Sequence, residues 1–304
     1  MTTGSVNDSN NLLQHNSTTA DQNHKPDVTE YDMHHDDYDR DTALRRLRTA
    51  GSLTITPELF EKIYLSPKNR VSNNIRSTVG NPTPLALCGF LLSLSPLCNI
   101  LLGWRGSGGS GAAEVGVYYF FGGMLMIIGS VLEFILGNTF PFVVFGSFGA
   151  FWLGWAATLT PFYHASIAYD PSHPATSSMN PTFANTFAFF MIYMGVLCFI
   201  YLICSLRTNI CFVLIFLSLV PAFGLMAAVY WELAEGNAAV SLKCQHAAGG
   251  LLFAVCLLGW YLLTAQLLAA VDFPLNIPVG DLSHLVKGAS ELAARKEEMK
   301  QSSE

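Results

Sequence analysis

Six long stretches without a single Asp, Glu, Lys or Arg constrain this chain more than any other feature. They run between Arg76 and Arg105, Glu114 and Glu133, Glu133 and Asp170, Asp170 and Arg207, Arg207 and Glu232, and Lys243 and Asp272. A hydrocarbon core about 30 Å thick needs roughly 20 consecutive apolar residues per helix, so each stretch holds one span. The overall charge supports this: 12% of the 304 residues are charged, where soluble domains carry about a quarter. The fold class is therefore all-α, a polytopic membrane protein with six transmembrane helices expected near 84–102, 114–136, 141–163, 183–206, 210–231 and 247–271.

Residues 1–79 read as a polar, mostly disordered tail, with a short amphipathic helix near 56–65 that Thr56 would cap and Pro57 would open. Residues 80–272 form the membrane domain, and residues 273–304 a second tail. No apolar segment near Met1 suggests a cleaved signal, so the first span directs insertion. Lys68, Arg70 and Arg76 precede that span, and Arg207 and Lys287 fall on the same side. Basic residues favour the cytoplasmic face, which puts both termini inside. The Asn-X-Ser/Thr triplets at 7–9 and 16–18 would then not be glycosylated.

Much chemistry is excluded. The net charge of -6 is spread over the tails, so nothing supports nucleic-acid binding. Catalytic signatures such as GxSxG, HExxH or a phosphate-binding loop are absent, and the chain reads as a non-enzyme without cofactor. The seven cysteines lie mostly in apolar runs with no zinc-type spacing and act as small apolar fillers. His34-His35-Asp36-Asp37 lacks a fixed frame to hold a metal. Arg46 and Thr49 resemble a basophilic kinase site, although a solvated charge cluster explains them better. Gly146, Ala150 and Gly154 put small residues on one helix face, where a neighbour can approach closely.

Polar groups beside the spans carry the functional signal, because backbone freed in lipid must be met by protein or by a water path. Asn81-Pro82-Thr83-Pro84 opens the first span, and backbone N–H groups at a helix start carry partial positive charge. That is a place for a small carboxylate; an ordinary helix cap at the interface fits equally well. Asn-Pro-Thr recurs at 180–182 before the fourth span, a hint of a three-plus-three repeat. Glu133 ends the second span ahead of Gly137-Asn138-Thr139-Phe140-Pro141. A carboxyl there can carry a coupled proton or play a structural part, pairing with Arg207 for instance. Glu232, Glu235, Gly236 and Asn237, with Lys243 and His246, read as a solvated loop that could instead tune ion entry.

These motifs in order make the chain similar to the acetate uptake transporter family in its fungal form. The likeness covers about residues 54–285. It rests on Asn81-Pro82-Thr83-Pro84-Leu85-Ala86-Leu87, where the family has Asn-Pro-x-Pro-Leu-Gly-Leu. Supporting matches are Gly122-Gly123, Glu133 with Gly137-Asn138-Thr139-Phe140, Ser147-Phe148-Gly149 with Phe151-Trp152-Leu153, Gly236-Asn237-Ala238-Ala239 and Pro278-Val279-Gly280-Asp281. The resemblance implies a plasma-membrane transporter or channel for acetate and related monocarboxylates, with flux linked to protons.

It further implies a homo-hexamer whose protomers each hold a path narrowed by Phe90, Phe148 and Leu219. Asn81, Pro82, Thr83, Pro84 and Leu85 would meet the carboxylate, supported by Glu133, Asn138 and Thr139. Ala86 replaces the family's usual glycine, Phe148 stands where relatives have tyrosine, and Met126 where bacterial members have glutamine. Two other functions fit a chain of this class: export of ammonia or ammonium, and a sensor signalling through its tail.

Overall fold

The computed structural model describes residues 79–174, 176–275, 277–282 and 299–300. The tail readings at 34–37, 46–49 and 56–65, and Lys287, lie outside them. Six helices are long and apolar enough to cross a membrane: α1 (Thr83–Leu101), α2 (Gly109–Ile135), α3 (Thr139–Leu159), α4 (Pro181–Ser205), α5 (Ile210–Ala234) and α6 (Ala238–Ala270). Among the described residues there is no strand, only an isolated bridge between Asn209 and Asp281.

Asparagine starts three of these helices by the same device. Asn81 Oδ1 accepts the Thr83 N–H at 2.9 Å, and Asn180 Oδ1 accepts the Thr182 N–H at 2.9 Å. Asn209 Oδ1 takes the Phe212 N–H at 3.0 Å. Each satisfies a donor that the first helical turn leaves without a partner.

Two helix ends share a second device. Gly137 and Gly236 adopt φ of 75° and 81°, which side chains disfavour. The following Asn138 and Asn237 N–H groups then reach back to the Glu133 and Glu232 carbonyls at 2.9 and 2.8 Å. This is the glycine-terminated helix end that satisfies orphan carbonyls. Thus Asn-Pro-Thr opens α1 and α4, and Glu-x-x-x-Gly-Asn closes α2 and α5, as a three-plus-three repeat would have it.

Backbone proximity places α1 between α2 and α6. A Cβ on Gly89 would collide with the Phe121 carbonyl oxygen, and one on Gly129 would lie 2.7 Å from Ala86 Cβ. On the other side, a Cβ on Gly259 would lie 2.6 Å from Leu91 Cδ2. Where α2 faces Gly89 it widens into a π-helical stretch, Tyr118–Leu125. Such widening frees backbone geometry inside an otherwise regular helix. Large apolar side chains that face outward, including Phe134, Phe199, Ile203 and Leu257, suit contact with lipid.

Two expectations are corrected. The α6 helix starts nine residues early, at Ala238, so Lys243 and His246 ride on its first turns and Glu232 belongs to α5. A gap between charges marks the hydrocarbon-compatible stretch, whereas a helix continues past it until its hydrogen bonds end. The Gly146-Ala150-Gly154 stripe packs closely only at its start: a Cβ on Gly146 would lie 2.8 Å from Ser130 Oγ on α2, whereas Ala150 and Gly154 are exposed and a Cβ on Gly154 would meet nothing within 4 Å. Close approach falls instead to glycines that face a backbone or a bulky neighbour. Beyond the last span, residues 277–282 of the second tail lie against the α4–α5 turn, where the Ile210 N–H donates to the Gly280 carbonyl at 2.9 Å and the Leu282 N–H to the Thr208 carbonyl at 3.0 Å.

Candidate functional site

Phe90, Phe148 and Leu219 come from α1, α3 and α5 and line one cavity in the bundle. All three are buried, and the rings of Phe90 and Phe148 meet edge-on with centroids 5.9 Å apart. The rest of the wall is apolar or aromatic, including Leu94, Leu97, Met191 and Met226. A narrow apolar wall excludes water and therefore raises a barrier to any ion. Proline enters two of the lining helices, Pro96 in α1 and Pro221 in α5. Each removes one backbone hydrogen bond from its helix.

Trp155 carries no signal in the sequence and Trp152 enters it only through the family match of Phe151-Trp152-Leu153, yet both line the cavity. Their indole nitrogens are buried without a hydrogen-bond partner. Aromatic residues are common in every span, so nothing in the sequence marks either one as lining a cavity.

Toward the start of α1 the surroundings become polar. Thr83 precedes Phe90 by seven residues, so the two share a face of α1. Thr83, Glu133 and Asn138 are each fully buried. The Thr83 hydroxyl donates a short hydrogen bond to Glu133 Oε1, and Asn138 Nδ2 donates to Oε2 at 2.6 Å. Among the described residues Glu133 is the only Asp, Glu, Lys or Arg in the interior. The matching pair at the other end is open: Asn237 Nδ2 donates to Glu232 Oε2 at 3.0 Å, but at the surface. One local motif thus has two environments.

The remaining expected residues are less enclosed. Asn81 and Pro84 are half-buried, Pro82 is buried, and Leu85 and Thr139 are exposed. The structure also revises the picture of free N–H groups at the start of α1. Pro82 and Pro84 have none, the Thr83 N–H goes to Asn81, and the Leu85 and Ala86 N–H groups go to the Pro82 carbonyl at 3.0 and 3.4 Å. The donor left at this terminus is the Asn81 side-chain amino group, because its oxygen already serves as the cap. Ala86, in place of glycine, is accommodated because Gly129 opposite it lacks a side chain.

Residues 64–284 match the family model described as the GPR1/FUN34/yaaH family. The chain belongs to this family. It is similar to Protein alcS of Aspergillus fumigatus, with 47% identity over 246 residues that cover 80% of this chain and 90% of the relative. The Acetate transporter protein patA of Aspergillus clavatus is 27% identical over 207 residues, covering 68% of this chain and 80% of that protein. A solved structure, that of the bacterial acetate channel SatP, superposes with a TM-score of 0.53 at 25% identity, covering 66% of this chain and 99% of that one. This family member therefore stands among transport proteins and not among enzymes.

Proposed function

We propose that this chain conducts acetate and related short monocarboxylates across a membrane, with Phe90, Phe148 and Leu219 forming the narrow point. The observation that carries this reading is that side chains from three separate helices close one apolar cavity, in a chain with an acetate transporter and an acetate channel among its relatives.

Acetic acid has a pKa a little above the aspartate reference of ~3.9, so at neutral pH the cargo is mostly anion. An anion leaves its water to pass an apolar ring, and side-chain motion or protonation lowers that barrier. Asn81 offers an amino group at the entrance, with Pro82, Thr83, Pro84 and Leu85 shaping it. Glu133 and Asn138 hold Thr83 in place, Thr139 begins the helix behind them, and Glu133 is the carboxyl through which flux couples to protons. In this reading both termini are cytoplasmic, the membrane is the plasma membrane, and six copies assemble, each with its own path.

Counterflow of labelled acetate in proteoliposomes tests the reading, with methylammonium as the competing cargo. Leu219→Ala removes bulk from the ring and should raise flux several-fold, whereas Asn81→Ala should reduce it. Deletion of residues 1–53 should leave flux intact. Movement of methylammonium without acetate would replace the reading by ammonium export, and flux identical in both point variants would remove the site assignment.

A further inference from the structure

Gln266 on α6 is 3% exposed, and neither its Nε2 nor its Oε1 has a hydrogen-bond partner. An amide buried in this way is destabilising unless something meets it. Polar side chains inside membrane spans are costly and commonly mark pathways.

Its position follows from the packing of α6 on α1. Gln245 Nε2 donates to the Leu101 carbonyl at 3.0 Å, and the Cys256 and Cys98 sulfurs lie 3.8 Å apart. Gly259 sits against Leu91. Numbers rise along α6 as they fall along α1, so the helices are antiparallel. Seven residues make nearly two helical turns, about 10.5 Å. Gln266, seven past Gly259, therefore lies on the same face of α6 at the level of Pro84. The same heptad step leads back from Gly259 to Leu252, which lines the cavity. Thr83, bound to Glu133, lies at this level too. The start of α1 is thereby flanked by polar groups from α2 and from α6.

We infer that Gln266 is a carboxyl-recognising residue of the pathway, its Nε2 donating to an oxygen of a small monocarboxylate at the level of Pro84. Its Oε1 accepts a hydrogen bond from the O–H of the acid form, so one amide matches both states of the cargo. Among the described residues no protein group meets this amide; the passing carboxyl group does. This rests on the monocarboxylate reading above.

The test uses the purified full-length chain in detergent and in proteoliposomes, with acetate as the probe. Gln266→Met keeps the length of the side chain and removes both polar atoms. It should raise the half-saturation concentration for acetate at least about tenfold, the effect of losing a hydrogen bond to a charged group. The maximal rate should stay within about twofold, and the thermal midpoint without acetate should be unchanged or higher, because an unmet amide has been removed. Gln266→Asn should lie between the two. An unchanged half-saturation in Gln266→Met overturns the inference, as does a fall in the acetate-free midpoint with only the maximal rate reduced, which marks a structural role such as holding a buried water. Absence of both acetate flux and acetate-dependent thermal shift in the unaltered chain overturns the monocarboxylate reading itself.

Discussion

Replacing Thr83 by valine isolates one hydrogen bond at the junction of α1 and α2. The side chain is fully buried, and its hydroxyl donates to Glu133 Oε1 while Asn138 Nδ2 holds Oε2 at 2.6 Å. Valine has nearly the same shape but places a methyl group against the carboxyl oxygen. Removing one partner of a buried acceptor costs about 1–3 kcal/mol, and the enclosed site offers no bulk water as a substitute. For a chain of this size each kcal/mol corresponds to roughly 2–4 °C, so the apparent melting midpoint should fall by about 5 °C. Size-exclusion chromatography after heating in detergent measures it, with Thr83→Ser as the control that keeps the hydroxyl. A valine variant that melts with the unaltered chain, or a serine variant that melts as low as valine, would refute the reasoning.

Other outcomes follow from the packing. Gly129→Ala puts a methyl group 2.7 Å from Ala86 Cβ and should lower the yield of monodisperse protein; adding Ala86→Gly should restore it, and failure of that rescue would count against the contact. Mild oxidation should join Cys98 to Cys256, since their sulfurs need close only from 3.8 Å to about 2.05 Å; peptide mapping under non-reducing conditions detects the link between α1 and α6, and Cys98→Ser should abolish it. Asn180→Ala removes the acceptor at the start of α4 and should cost about 1 kcal/mol, seen as a thermal midpoint lower by a few degrees with the half-saturation for acetate unchanged.

Much of the scaffold is legible in the sequence because its causes are local. Charge-free runs mark the spans, Asn-Pro-Thr marks two helix starts, and Glu-x-x-x-Gly-Asn marks two helix ends through a glycine at positive φ. The last of these went unread because its repetition shows only once both turns are seen to have the same hydrogen bonds. The early start of α6 was hidden for a different reason: Lys243 and His246 interrupt the apolar run without interrupting the helix.

The candidate site was legible only in part. Family resemblance named Phe90, Phe148 and Leu219, but their own sequence surroundings do not distinguish them from other apolar residues in the spans. The count of free backbone donors at the start of α1 also needs the structure, because the two prolines that mark the helix start remove two N–H groups and local bonds take those of Thr83, Leu85 and Ala86.

The sequence by itself determined that six helices cross a membrane and where most of them begin and end, since lipid compatibility and capping depend on residues close along the chain. Tertiary structure alone decided which faces turn inward. Lipid and protein interior are almost equally apolar, so hydrophobicity cannot tell an outward Phe199 from an inward Phe148. The same Glu and Asn pair is buried at Glu133, where Thr83 on α1 donates to the carboxyl group, and lies at the surface at Glu232, a difference that tertiary packing makes and the local motif does not.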